Sequence, residues 1–159
     1  SILGSNSAIA SEAVVCQSKI GRKSISVEEI KQFSETGKLS SSLELYLKKS
    51  QGKPEQLKRA LTTPVPIDSV FLYDFLNRVP GELVLDQMST IIKNPSGKAN
   101  RESLRAAVVS SALPDNNIRL IEVMENYPTK KVLIECDRVL EVHKNVSQII
   151  EKFPIKSSQ

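Results

Sequence analysis

The chain has 159 residues, 40% hydrophobic and 25% charged, a balance that excludes a disordered polymer and permits a core without metal support. With four Phe, three Tyr and no Trp, that core must be aliphatic. The net charge of +4 is spread over isolated basic pairs (Lys48 with Lys49, Lys58 with Arg59, Lys130 with Lys131), which argues against nucleic acid and for a mixed, solvated surface.

In chain order, Ser1 to Ala10 is small and uncharged and ends Ala8-Ile9-Ala10. It reads either as the remnant of a cleavable export signal or as a flexible leader. Residues 13–26 lack helical periodicity, and short apolar stretches flank Gly21, predicting an extended or hairpin segment. Ser26-Val27-Glu28-Glu29 is a capping box that opens a helix with Val27, Ile30 and Phe33 on one face. Gly37 is placed to close it in the left-handed conformation.

Ser41 with Glu44 predicts the start of a short helix through Leu43 and Leu47. Pro54 occupies a first-turn position ahead of Leu57, Ala60 and Leu61. Pro64 and Pro66 enforce an extended link. Asp68 caps a helix with Phe71, Leu72, Phe75 and Leu76, and Pro80-Gly81 breaks it. A longer helix is predicted through Leu85, Met88, Ile91 and Ile92.

After the turn Asn94-Pro95-Ser96-Gly97, Asn100 is the expected cap of a helix with Leu104, Ala107, Val108 and Ala112 inside. Pro114-Asp115 ends that segment and opens another carrying Leu120, Ile121, Met124 and Tyr127. Val132 to Ile134 is a β-branched run read as a strand, and Asp137 caps a last helix through Val139, Val142, Val146, Ile149 and Phe153. The expected fold is mostly α: a compact bundle of seven or eight short helices with a small two-stranded β element. The expected layout is a leader over 1–11, one helical domain over 12–153 and a tail over 154–159.

Catalytic chemistry is thin. His143 is the sole histidine, so it cannot build a multi-histidine metal site, and no positioned nucleophile accompanies it. No Gly-x-Ser-x-Gly turn is present, so the strained elbow that exposes a hydrolase serine is missing. No cofactor is implied. No apolar run approaches the roughly 20 residues of a membrane-spanning helix. Cys16 and Cys136 each lie in or just after an extended segment, and if those segments pair in an oxidising compartment the two can form a disulfide. The alternative is two unrelated small apolar residues in a reducing one. Gly37, Pro128 and Arg105 read as scaffold: a positive φ, an ordered approach to the strand, and a cation for a carboxylate within the helical assembly.

Several segments taken together resemble a cyanobacterial family labelled "alpha/beta hydrolase of unknown function". They are Ser24-Ile25-Ser26-Val27-Glu28-Glu29-Ile30 with Phe33 and Thr36-Gly37-Lys38, then Leu57-Lys58-Arg59-Ala60-Leu61, Pro95-Ser96-Gly97, Leu104-Arg105-Ala106-Ala107, and Glu125-Asn126-Tyr127-Pro128-Thr129 before the strand. The likeness covers roughly residues 12 to 143. It implies a helical module behind an export signal, in the periplasm or thylakoid lumen, preceding an α/β-hydrolase domain in longer relatives. No catalytic residue carries over. The leading expectation is therefore a non-catalytic accessory module that docks on another protein. The second is a carrier of an apolar ligand, a lipid or pigment, lined by Phe71, Phe75, Met88 and Met124. The third is a hydrolase with an unrecognised site.

Overall fold

The computed structural model describes residues 10–152; the side chains of Leu140, His143, Ser147 and Ile150 lie outside that description. The leader proposed over 1–11, except its last two residues, Phe153 and the tail also fall outside it.

The fold is mostly α, as the periodicity predicts, with eight α-helices among the described residues. The hairpin predicted near Gly21 is present: β1 (Ala13–Ser18) and β2 (Gly21–Ser26) pair antiparallel, and Gly21 takes φ +115° at the turn. Helix α1 (Val27–Thr36) begins at a reciprocal capping box of Ser26 and Glu29, and Gly37 ends it at φ 77°. Ser40 and Ser26 both hydrogen-bond the Glu29 carboxylate and hold its pKa below the usual range. Helices α2 (Ser41–Ser50) and α3 (Pro54–Thr62) follow, then β3 (Val65–Pro66), α4 (Ser69–Leu76) and α5 (Val79–Met88). Next come β4 (Ile92–Lys93), α6 (Asn100–Ala112), β5 (Asn117–Ile118), α7 (Leu120–Asn126) and β6 (Lys131–Glu135). A single 3-10 turn, Cys136–Arg138, leads into α8 (Val139–Lys152).

The β content exceeds the two strands expected. One sheet has four strands in the order β2-β1-β6-β4, and β3 pairs with β5 in a second, two-stranded sheet. β1 and β6 run parallel, with Cys16 opposite Ile134, so nearly the whole helical body is one crossover between two adjacent strands. Val132, Leu133 and Ile134 are all buried. Successive strand residues face opposite sides, so both faces of β6 are covered, as in the interior strands of parallel sheets.

Four boundaries differ from expectation for identifiable reasons. Ile91 and Ile92 do not continue α5: the helix stops at Met88, and Ile92 pairs with Ile134 across the sheet. The cap of α2 is Ser40, whose hydroxyl accepts from the Leu43 amide, not Ser41. The N-cap of α6 is Ala99 at φ 54°, because the Asn100 side-chain oxygen is taken by the Asn94 amide. Asp137 accepts from the Lys19 amide at 2.7 Å and so ties the last helix to the β1–β2 turn.

The core runs along one side of the sheet through Phe33, Leu61, Leu104 and Tyr127. Ser11, buried at its edge, donates to the carbonyls of Tyr127 and Thr129 at 3.1 and 2.7 Å. Those carbonyls flank Pro128, so the proline segment and the first strand order one another. The Tyr127 hydroxyl has no well-formed hydrogen bond among the described residues. Burial pushes its pKa up to about 12, with only a looser contact to the Ser103 hydroxyl acting the other way.

Candidate docking surface

Helices α4 and α5 form a tight hairpin whose sequence is apolar beyond what the core needs. Asp68 starts α4 by accepting the Phe71 amide at 2.9 Å. Leu72 and Leu76 turn inward and are buried. Val70, Phe71 and Tyr73, on the remaining faces, are exposed, and the rings of Phe71 and Phe75 stack with centroids 6.5 Å apart. On α5, Leu85 and Met88 are buried while Val79 and Leu83 remain 68% and 62% exposed. Apart from Ser69 and Asp74, α4 is apolar, and a helix so apolar is ordinarily well covered; here only Leu72 and Leu76 are buried.

The hairpin is rigidly built. A Cβ on Gly81 would lie 2.0 Å from the Phe75 carbonyl oxygen and 2.7 Å from the Leu76 Cα, so the start of α5 rests directly on the end of α4. Only glycine permits that approach. Arg105, from α6, donates to the Leu76 carbonyl and to the Glu82 carboxylate, each at 3.1 Å. That is the carboxylate partner expected for it, and it bridges the end of one helix to the start of the next. Arg101 adds a two-pronged pair with Asp86 at 2.8 and 2.6 Å, which holds the Asp86 carboxyl below its usual pKa. The exposed apolar side chains thus sit on a fixed frame, and the same hairpin carries the charged residues Asp74, Arg78 and Asp86. Exposed apolar side chains grouped on one element mark contact sites more often than isolated ones do.

The structure places the other singled-out residues as follows. Cys16 and Cys136 are joined in a disulfide, with Cα atoms 5.6 Å apart and 120 residues between them in sequence. Of the four side chains proposed to line an apolar pocket, Phe75 and Met88 line a cavity of 130 Å³ between the α4–α5 hairpin, α6 and α8. Met124 lines a separate cleft, and Phe71 faces outward instead of lining either. The four do not form one site. His143 lies on α8, its side chain outside the described set. Among the described residues no cluster of His, Cys, Asp and Glu could hold a metal ion, and no helix is long and apolar enough to cross a membrane.

Residues 10–135 match the family model described as "Alpha/beta hydrolase of unknown function (DUF1400)". The chain belongs to this family. The match takes in both sheets and α1 to α7 and stops just before Cys136, so the disulfide partner and α8 lie beyond it. No curated protein and no solved structure matches the chain. The family description names a hydrolase, whereas the matched region is a helical body on a four-stranded sheet with one parallel strand pair. No residue of the chain stands in a nucleophile-elbow motif.

Proposed function

We propose that this chain is a non-catalytic accessory module whose α4–α5 hairpin docks on an α/β-hydrolase domain. The observation that carries this reading is the rigid hairpin with Val70, Phe71, Tyr73, Val79 and Leu83 exposed on a frame locked by Gly81 and Arg105. The hydrolase label of the family is what suggests that partner class, and the chain carries no elbow serine of its own. Export to the periplasm or thylakoid lumen fits the same reading, because the Cys16–Cys136 bond belongs to an oxidising compartment.

The test is co-elution of the disulfide-intact chain with a separately produced α/β-hydrolase domain of the family. Charge placed among the exposed apolar side chains, as in the double variant Val79→Asp with Leu83→Asp, should weaken the complex by tenfold or more, on the order of a single interfacial hot spot. Both positions are exposed, so the variant should fold as the parent does. An unaltered elution profile for the pair, or a complex indifferent to both substitutions, removes the proposal.

A further inference from the structure

A cleft of 240 Å³ opens between the sheet and helices α2 and α3, away from the hairpin. Its inner wall is aliphatic, formed by such residues as Val14, Leu61 and Met124, all buried. Protein interiors hold few voids larger than a water. A polar group among these side chains would go unpaired, so the inner part suits only a hydrocarbon. Four of its polar side chains, Tyr46, Ser50, Lys53 and Gln56, come from the α2–α3 junction, and Lys53 and Gln56 are exposed, so solvent reaches the cleft there.

Lys53 is an exposed cation that ends no ion pair among the described residues. The carboxylate that lines this cleft, Asp137, is occupied by the Lys19 amide at 2.7 Å. Concave, mostly apolar sites with a few polar groups at one end fix amphipathic molecules in a single orientation. The lining is mostly aliphatic, with Tyr46 the one aromatic ring among its described residues, so it fits a flexible chain better than a stacked ring system.

We propose that this cleft binds an acyl chain bearing an anionic head, with the chain against Val14, Leu61 and Met124 and the head at Lys53. A free fatty carboxylate and the acyl chain of an anionic lipid share that chemistry. The site stands apart from the α4–α5 hairpin and does not depend on the docking reading.

Isothermal titration of the disulfide-intact protein with decanoate, with decanol and with phosphatidylglycerol vesicles tests it. Decanoate binding that weakens on the order of fivefold in Lys53→Glu, while decanol binding is unchanged, supports a fatty carboxylate; the size follows from losing one exposed charge pair and adding repulsion. Vesicle binding with the same Lys53 dependence, and none of free decanoate, supports the chain of an anionic lipid. Leu57→Trp, at the half-buried wall, should abolish either by filling the cleft, with circular dichroism confirming its fold. No binding of any of the three would overturn the proposal. So would binding indifferent to Lys53→Glu, or binding retained in folded Leu57→Trp.

Discussion

Removing the Cys16–Cys136 bond is a perturbation whose size follows from the topology. The two residues are 120 positions apart, so the bond closes most of the chain into one loop. In the chain-entropy description that loop costs the unfolded state about 16 cal/mol/K, or about 5 kcal/mol at 25 °C. Domains of this size are stable by about 5–15 kcal/mol, so reduction should remove a third or more of the total. At about 2–4 °C per kcal/mol, the melting midpoint should fall by about 10–20 °C. The sheet should survive below the new midpoint, because β1 and β6 remain hydrogen-bonded along five registered pairs. The assay is thermal melting by circular dichroism, oxidised against reduced, with the Cys16→Ala, Cys136→Ala double variant as a second route to the open chain. Alkylation and intact mass establish the thiol state of each sample. A shift under about 2 °C between verified oxidised and reduced protein refutes the loop-entropy reasoning. Two freely alkylated thiols in native material would instead refute the bond itself.

Other outcomes follow from single contacts. Gly81→Ala should destabilise the fold by about 3 kcal/mol or more, since its Cβ meets backbone that cannot yield as a side chain would; an unchanged urea midpoint would show that the hairpin tolerates a wider spacing. Tyr127 is held neutral by burial, so above pH 10 the unfolded chain loses this proton first, and stability falls as pH rises from 10 to about 12. The gap corresponds to a loss of about 3 kcal/mol. Tyr127→Phe should remove that alkaline slope without loss at neutral pH, as its hydroxyl has no well-formed partner; parallel slopes for the two proteins would contradict this. Glu29 has a lowered pKa, so it contributes stability above the ordinary carboxylate range that disappears as pH falls through its folded value. Glu29→Gln should flatten that part of an acid denaturation profile, and a profile unchanged by the substitution would refute its role.

The parts of the fold legible in sequence are those decided locally. Ser26 with Glu29, Gly37 at positive φ, Pro54 in a first turn and Asp68 as a cap all depend on neighbours within four residues. The Cys16–Cys136 pairing could be raised, though not decided, in sequence, because Cys16 lies in an extended segment and Cys136 just after one. Where distant partners decide, the pattern misleads. Ile92 has helical spacing after Met88, yet it pairs with Ile134 forty-two residues away, and a two-residue strand carries no periodicity. Asn100 looks like a cap until its side chain is claimed by Asn94. The exposed apolar face of the α4–α5 hairpin was hidden for a related reason. Because Val70 to Tyr73 is an unbroken apolar run, spacing could not tell Leu72 and Leu76, which are buried, from Phe71, which is exposed. The aliphatic cleft was equally opaque, since its walls come from both sheet and helices far apart in the chain.

The most direct measurement of the docking claim is hydrogen–deuterium exchange on this chain, alone and mixed with an α/β-hydrolase domain of the family. Slowed exchange concentrated in the amides of α4 and α5, with the sheet unchanged, is the predicted result. No change anywhere, or protection confined to surfaces away from the hairpin, would contradict it.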